Sequence, residues 1–267
     1  MSDYKVSKII DVHAHIYPTK IAGKAVSAIG RFYDLTMTGG GTSEGLIASG
    51  AKIGVTRYVV HSAATTPEQV HSINSHIIRE CEAHCDLFTG FGTLHPDMKD
   101  FDSEIEFMML SGLKGIKLHP DFQKFSINAP ELMPMYRAVG GRLPILFHTG
   151  DKRYLFSNPW RVAEIKSKFP ELRIIAAHFG GYSEWKDAAR ELYSLPIMFD
   201  TSSSLFALDP REATDMIRAA GVEKFMFGSD FPMWDHEGEF ARFMRLGLTD
   251  DERDRILFKN AERFLQL

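Results

Sequence analysis

The sequence predicts an α/β fold, a (β/α)8 TIM barrel in a single domain, on three observations. Short apolar runs of strand length alternate with longer segments of helical period, which is typical of a parallel sheet covered by helices. The number of these strand-like runs is eight. The chain has 267 residues, close to the length of about 250 residues that is common for such barrels. No repeat or linker divides it, so one domain over residues 1–267 is expected.

The predicted strands are apolar runs bounded by glycine, proline or polar residues. Most of them continue into a polar residue at the carboxyl end. In chain order they read KIIDVHAHI, TRYVVHSA, LFTGFGTL, LKGIKLH, LPILFHTG, RIIAAHFGG, IMFDTSSS and KFMFGSDFP.

Helical segments separate the later strands, each after a start signal such as Asn158 or Asp209. They read PEQVHSINSHIIRECEAHC, FDSEIEFMMLSG, APELMPMYRAVGG, NPWRVAEIKSKF, SEWKDAARELYS and DPREATDMIRAAG. The segments EGEFARFMRLG and TDDERDRILFKNAERFLQL follow the eighth strand. Thr249 and Glu252 predict a capping box at the start of the C-terminal helix.

The first connection, residues 17–55, is longer than a simple crossover between two strands. Its glycine-rich stretch TMTGGGTSEG predicts a mobile loop, followed by a helix near residues 43–50. We therefore expect an extended first β/α loop over one end of the barrel.

Composition narrows the compartment and the class of partner. The formal net charge of −4 gives no electrostatic basis for binding nucleic acid or an anionic membrane. The chain has no run of about 18 uncharged apolar residues, and MSDYKVSK lacks the pattern of a signal peptide. Cys81 and Cys85 lie four apart in a helical segment and fit reduced thiols. A cytoplasmic location and a small-molecule substrate are expected; pairing into a homodimer is left open.

Histidines concentrate at the strand ends, where barrel enzymes have their active sites. Seven of the eleven lie at or near the end of a predicted strand: His13, His15, His61, His95, His119, His148 and His178. A single buried histidine, such as His61 or His95, is usually a hydrogen-bonded core residue. Strand alternation, however, puts Asp11, His13 and His15 on one face of the first strand. Burying neighbouring imidazoles needs a shared partner, and a metal ion is the simplest one.

Further ligand types end later strands. His148 ends the fifth strand, His178 the sixth and Asp230 the eighth. Imidazoles with one carboxylate suit Zn²⁺, with Mn²⁺, Fe²⁺ or Co²⁺ as substitutes. An open coordination position would activate water, and Asp230 could both contact the metal and accept the proton from that water.

These residues resemble the amidohydrolase superfamily of metal-dependent barrel enzymes. The match is closest to small amidohydrolases related to aminocarboxymuconate semialdehyde decarboxylase, and it includes Asn260-Ala261 in the terminal helix. The resemblance implies that His13, His15, His148 and Asp230 bind one divalent metal. It also implies that His178 acts near the substrate as acid or base.

Lys117 leaves the number of metals open. It shares one face of the fourth strand with Gly115 and His119. In binuclear members of the superfamily a carboxylated lysine on this strand bridges two metals, which would make Lys117 a bridge to a second metal. The alternative, which we favour, is a single metal with Lys117 contacting a substrate carboxylate or Asp11, and His119 contacting the substrate.

Loop residues on the catalytic face are candidates for substrate binding. They are Arg31 and Tyr33 in the first long loop, Phe122 and Phe125 after the fourth strand, and Trp234 and His236 after the eighth. An arginine beside aromatic rings suits a planar substrate with a carboxylate, although each residue could equally serve loop packing. No G-x-S-x-G motif occurs, which argues against a serine nucleophile.

The sequence therefore predicts a metal-dependent hydrolase that uses activated water on an amide, lactone or other ester of a small carboxylate-bearing molecule. Asp230 would move the proton and His178 would assist the leaving group. The alternative is non-oxidative decarboxylation of an unsaturated or aromatic acid at the same site. A barrel that binds a metal without turnover is disfavoured, because closed structural zinc sites prefer cysteine.

Overall fold

A computed structural model describes residues 5–267 of the chain and contains all the predicted strands. The first four residues of the segment MSDYKVSK lie outside the described residues. The strands are β1 (Ile10–His15), β2 (Arg57–His61), β3 (Phe88–Thr93), β4 (Gly115–Leu118), β5 (Ile145–Phe147), β6 (Ile174–Ala176), β7 (Met198–Asp200) and β8 (Phe225–Met226).

The strands form one eight-stranded sheet in the order β1 to β8. Strands β3 to β7 pair in parallel, with Phe91 opposite Gly115 and Ile145 opposite Ile174. Because each strand neighbours the next one in sequence, every connection is a crossover through a helical segment. This order confirms the predicted α/β fold class.

The backbone closes the sheet between its last and first strands. The Val12 amide donates to the Phe227 carbonyl at 2.9 Å, and the His15 amide donates to the Phe231 carbonyl at 2.7 Å. On the other side of β1, the carbonyl of the residue before it, Ile9, accepts a hydrogen bond at 2.8 Å from the amide of Thr56, the residue before β2. Strand β1 is thus paired on both edges, which confirms a barrel.

The first connection differs from the prediction, because most of it is helical. It contains α1 (Thr19–Tyr33) and α2 (Ser43–Ala51), of which only α2 was predicted. The N-cap residue of helix α1 is Pro18, which offers no side-chain cap, and the helix contains Gly23 and Gly30, so it lacks the usual sequence signals of a helix. The glycine-rich stretch between the two helices packs against other residues: a Cβ at Gly39 would collide with the Phe231 ring.

The remaining helices follow the predicted segments, except for the short helix Pro120–Gln123, which was not predicted. They are α3 (Val70–Ala83), α4 (Phe101–Leu110), α5 (Pro120–Gln123), α6 (Met133–Val139), α7 (Pro159–Lys168), α8 (Trp185–Leu192), α9 (Pro210–Ala220), α10 (His236–Met244), α11 (Asp250–Asp254) and α12 (Asn260–Leu265). A π-helical turn, Arg255–Lys259, joins α11 to α12. The capping box of Thr249 and Glu252 is confirmed.

Two compact groups of residues each bury an apolar core. The first comprises the described residues up to Val60, Asp86–Phe88 and Asp200–Leu267, and the second comprises His61–Cys85 and Thr89–Phe199. Ile10, Val12 and Phe227 are buried in the first group, and Ile116 and Ile145 in the second. Across residues 5–267, no helix combines the length and the apolar character needed to cross a membrane.

Candidate metal and catalytic site

Two histidines of β1 converge on one carboxylate oxygen. The Nε2 atoms of His13 and His15 each lie 3.3 Å from Oδ1 of Asp230. The side chains of His13 and Asp230 are almost fully buried, and that of His15 is 12% exposed. The Asp230 amide donates to the His13 carbonyl at 2.8 Å, so the pairing of the two chain segments sets the register of the three side chains.

A second carboxylate, that of Asp200, contacts the other ring nitrogen of His13 and orients the imidazole. Nδ1 of His13 lies 2.9 Å from Oδ2 of Asp200 and 3.1 Å from Oγ of Ser202. Asp200 in turn accepts from the Ser202 amide at 3.0 Å and from the Ser202 hydroxyl at 2.5 Å. A carboxylate at Nδ1 assigns the proton to that nitrogen and leaves the Nε2 lone pair available, as in metal-binding histidines.

The sequence reasoning did not identify Asp200. It ends β7 in the run IMFD, and one aspartate at a strand end is too weak a signal on its own. The polar end of a strand that is otherwise apolar was the available hint.

Asp230 is held by a chain of hydrogen bonds. The Ser203 hydroxyl donates to Oδ2 of Asp230 at 2.5 Å, and the indole Nε1 of Trp234 donates to Oγ of Ser203 at 3.0 Å. Trp234, predicted as a substrate contact, therefore approaches the site through Ser203. Its role toward a substrate stays a prediction.

The predicted residues of β5 and β6 form a separate pair. Nδ1 of His148 lies 2.9 Å from Nε2 of His178, and the Tyr182 ring lies 5.7 Å from both imidazoles. Nε2 of His148 lies 3.5 Å from Oδ2 of Asp121. Both histidines are buried, so one must donate and the other accept in their contact.

Asp121 is a second acidic residue that the sequence reasoning did not identify. Burial raises the pKa of Asp121 to about 7, although a hydrogen bond from Ser157 at 2.7 Å works in the opposite direction. It lies two residues after His119 in KLHPDF, where a loop carboxylate gives no distinctive pattern. A carboxyl with a raised pKa beside His148 is a candidate proton carrier.

Left-handed backbone conformations mark the strand ends. Residues other than glycine with positive φ after β6, β7 and β8 are His178 (62°), Phe179 (58°), Ser203 (44°) and Asp230 (60°). Such conformations cost free energy in residues with a Cβ and tend to occur at functional sites. The same residues carry most of the contacts described above.

The donor set fits a divalent cation. His13 and His15 offer imidazole nitrogens to the same oxygen of Asp230, and Asp200 contacts the other ring nitrogen of His13. Buried imidazoles aimed at a carboxylate, with one imidazole held by a second carboxylate, are the arrangement that transition metals select. Of the predicted ligands, His13, His15 and Asp230 lie together; the assignment of His148 as a ligand stays a prediction.

The residues of the fourth strand and its loop are also buried. The His119 ring stacks between Phe122 at 3.8 Å and His148 at 4.0 Å, measured between centroids. Nδ1 of His119 accepts from the Phe122 amide at 3.3 Å and so caps α5. Lys117 is fully buried on β4; its carboxylation and a second metal stay predictions.

Some other candidates lie elsewhere than expected. Arg31 is exposed and Tyr33 is buried, and both belong to helix α1 rather than to a loop. Nε2 of His236 contacts Oδ2 of Asp11 at 3.0 Å, and its Nδ1 contacts the Ser49 hydroxyl at 2.8 Å. His236 is thus part of the support behind β1.

Asp11 has hydrogen bonds to both of its carboxylate oxygens. Oδ1 accepts from the His13 and Ser229 amides, each at 3.0 Å, and Oδ2 accepts from the Ser229 hydroxyl at 2.5 Å in addition to His236. Asp11 therefore supports the backbone next to His13.

Comparisons with known proteins show the family and the fold of this chain. The family model described as Amidohydrolase matches residues 10–267. An uncharacterized TIM-barrel protein from Bordetella bronchiseptica has a TM-score of 0.80 at 18% identity, over 97% of this chain and 98% of that one. No curated protein sequence shows significant similarity to this chain.

Two solved enzymes share the fold. The 5-carboxyvanillate decarboxylase of Novosphingobium aromaticivorans, complexed with manganese and 4-hydroxy-3-methoxy-5-nitrobenzoic acid, has a TM-score of 0.75 at 15% identity, over 97% of this chain and 96% of that one. A probable 2-pyrone-4,6-dicarboxylic acid hydrolase of Acinetobacter baumannii, with citric acid bound, has a TM-score of 0.71 at 16% identity, over 97% and 100%. At these identities the similarity shows the fold alone.

Proposed function

Because this chain belongs to the amidohydrolase family, we propose that it is a metal-dependent hydrolase of a small carboxylate-bearing amide, lactone or other ester. The observation that carries the proposal is the convergence of two imidazole Nε2 atoms on one oxygen of Asp230. Burying these nitrogen atoms beside a carboxylate costs free energy unless a cation compensates them.

The residues that would hold the ion are His13, His15, His148 and Asp230. Three nitrogens and one oxygen suit Zn²⁺, whereas the manganese in the Novosphingobium enzyme supports Mn²⁺. When bound, such an ion polarises a carbonyl group and makes water acidic enough to attack near neutral pH. One ion suffices for this chemistry, and a second would need carboxylated Lys117.

In the proposed reaction, residues of the chain orient the metal ligands and transfer protons. Asp200 keeps the proton of His13 on Nδ1 and so keeps Nε2 directed at Asp230. Asp230 accepts the proton of the attacking water. His178, next to His148, donates a proton to the departing alcohol or amine.

Decarboxylation is the second candidate, supported by the fold shared with 5-carboxyvanillate decarboxylase. In that reaction the bond from carbon to the carboxylate breaks, CO₂ leaves, and the electron pair stays on the carbon. His178 would then protonate this carbon. No water is consumed, which distinguishes the two reactions.

We further propose a cytoplasmic enzyme with a small-molecule substrate. The two free thiols, Cys81 and Cys85, support a reducing compartment. The net charge of −4 supports a partner other than nucleic acid.

The test is metal analysis of protein purified without added metal, followed by assays on lactones, amides and aromatic carboxylic acids. We expect about one divalent ion per chain and a product that has gained one water molecule. Asp230→Asn should lose both the ion and turnover, and Asp34→Asn, at an exposed helix cap, should keep both. Release of CO₂ without water addition would contradict the hydrolase, and metal-free protein with full activity would contradict both reactions.

A further inference from the structure

A three-residue chain of hydrogen bonds ends on the carboxylate that faces the histidines. It runs from Trp234 Nε1 to Ser203 Oγ at 3.0 Å and from that hydroxyl to Asp230 Oδ2 at 2.5 Å. We propose that Trp234, acting through Ser203, is a positioning residue that fixes the orientation in which Asp230 would help to hold the metal. The inference rests on the proposed metal-dependent function and concerns only how this ligand is oriented.

The chemistry of the three groups gives the chain one direction. An indole N–H can only donate, and an ionised carboxylate can only accept. The Ser203 hydroxyl therefore accepts from Trp234 and gives its single proton to Asp230. Its other neighbour, Sδ of Met233 at 3.3 Å, is a weaker acceptor than a carboxylate.

The bond from Trp234 also strengthens the bond that follows. A hydroxyl that accepts a hydrogen bond becomes a better donor, and the effect is larger where water is excluded. Ser203 is buried, and its hydrogen bond to the Asp230 carboxylate is charge-assisted. The indole thus stabilises one orientation of the hydroxyl.

Packing holds the indole ring in place. Phe206 stacks on Trp234 with centroids 4.9 Å apart and an interplanar angle of 29°. The Arg242 guanidinium lies 4.8 Å from the ring centroid and is itself paired with buried Glu239 at 2.6 Å. A ring held by both contacts keeps its N–H directed at Ser203.

As a consequence, the two oxygens of Asp230 have different partners. Oδ2 is occupied by Ser203, whereas Oδ1 lies 3.3 Å from Nε2 of both His13 and His15. Oδ1 is therefore the oxygen in contact with both imidazoles. Without the relay, the carboxylate could rotate and present both oxygens.

The backbone at Ser203 allows a clean removal of the hydroxyl. Its φ of 44° is unfavourable for serine and acceptable for glycine. Ser203→Gly should therefore still fold, because relief of the backbone conformation offsets part of the free energy lost with the hydrogen bond. Trp234→Phe keeps an aromatic ring for Phe206 and Arg242 and removes only the N–H.

The experiment is calorimetric titration of metal-free protein with Mn²⁺ and with Zn²⁺. Residues that hydrogen-bond to a metal ligand without contacting the metal typically contribute about 10- to 100-fold in metal affinity. We expect Ser203→Gly to lose about that much and Trp234→Phe to lose about tenfold. Trp160→Phe, which changes an exposed indole on α7, should bind like the parent protein.

A double-mutant cycle separates the relay from ring packing. If Trp234 acts through Ser203, Trp234→Phe should change metal affinity no further in the Ser203→Gly background. Equal losses in both backgrounds, or unchanged affinity in Trp234→Phe alone, would overturn the relay and leave the proposed function intact. A parent protein that binds neither ion would overturn the proposed function itself.

Discussion

Several histidines of the candidate site are distinguished by the residue that one ring nitrogen contacts. His13 contacts Asp200 through Nδ1, His236 contacts Asp11 through Nε2, and His148 and His178 contact each other. A neutral imidazole carries one proton, so the partner decides which nitrogen is a donor and which can bind a metal. Under the proposed function, the same residue type would supply metal ligands in His13 and His148 and a proton donor in His178, while His236 supports Asp11.

Replacing His178 tests its proposed role as a general acid. We expect His178→Asn to lower kcat by about 10² to 10⁴, the usual contribution of a general acid or base, with metal content retained. Steady-state kinetics and metal analysis on the same preparation measure both. His71→Asn, on the exposed face of α3, is the matched control. Turnover within a few-fold of the parent would refute the assignment.

Residues of the site differed in how visible they were in the sequence. His13, His15 and Asp230 could be grouped in advance. All three are residue types that bind metals, and all three lie at the carboxyl ends of predicted strands. Asp200, Ser203 and Asp121 could not be grouped in this way. Their roles depend on contacts made across long sequence separations, such as 187 positions between His13 and Asp200.

At the scale of elements, glycines show where backbones must pack closely. A Cβ at Gly50, in helix α2, would lie 2.7 Å from Cζ of Tyr58 on β2 and still closer to the phenol oxygen. A Cβ at Gly23, in helix α1, would meet no atom within 4 Å. The same substitution should therefore have opposite effects in the two helices.

We expect Gly50→Ala to lower the free energy of unfolding by about 1–3 kcal/mol through overpacking. Gly23→Ala should raise it by about 0.5–1 kcal/mol, because alanine loses less conformational entropy in a helix. Urea unfolding of the two variants beside the parent protein measures both changes. If both variants changed the free energy of unfolding in the same direction, helix propensity, and not contact with Tyr58, would determine the effect.

Helix α10 carries a buried acid with a measurable pH dependence. Burial raises the pKa of Glu239 to about 8, and Arg242 opposes that rise. Between the unfolded pKa near 4.5 and the folded value, only the folded state holds the proton, so stability should fall as pH rises through this window.

Glu239→Gln should remove this dependence. Relative to the variant, the parent protein should lose on the order of 1–3 kcal/mol of stability between pH 5 and pH 8. Chemical unfolding at both pH values measures the difference, with exposed Glu212→Gln on α9 as the control. Parallel pH profiles for the parent and Glu239→Gln would contradict the raised pKa.

Elements were more predictable than their bounds. Eight apolar runs sufficed to predict the strands, because buried parallel strands are continuously apolar. Helix α1 was missed, since it has two internal glycines and a proline cap, and its stability comes from burying Ala22, Val26 and Tyr33. Packing of this kind is not visible in local sequence.

For the whole molecule, the proposed metal should contribute to stability. An ion that binds only the folded state stabilises it by about 2.7 kcal/mol at 100 times Kd. For a chain of this size, removal by a chelator should lower Tm by roughly 5–10 °C. Differential scanning calorimetry before and after adding Mn²⁺ or Zn²⁺ measures this, and Asp230→Asn should show no shift. An unchanged Tm in the parent protein would contradict metal binding at this site.

The closure of the sheet by β8 against β1 also bears on how the protein is made. Asp11 bonds to Ser229, 218 positions later, and the amide of the next residue, Asp230, donates to the His13 carbonyl. On a ribosome, the first strand therefore emerges with one edge unpaired and must wait for almost the entire chain, a period in which open strand edges favour aggregation. The carboxylate that faces the histidines arrives with the strand that covers this edge. Uptake of the proposed metal by a nascent chain would thus report that the last strand has closed the sheet.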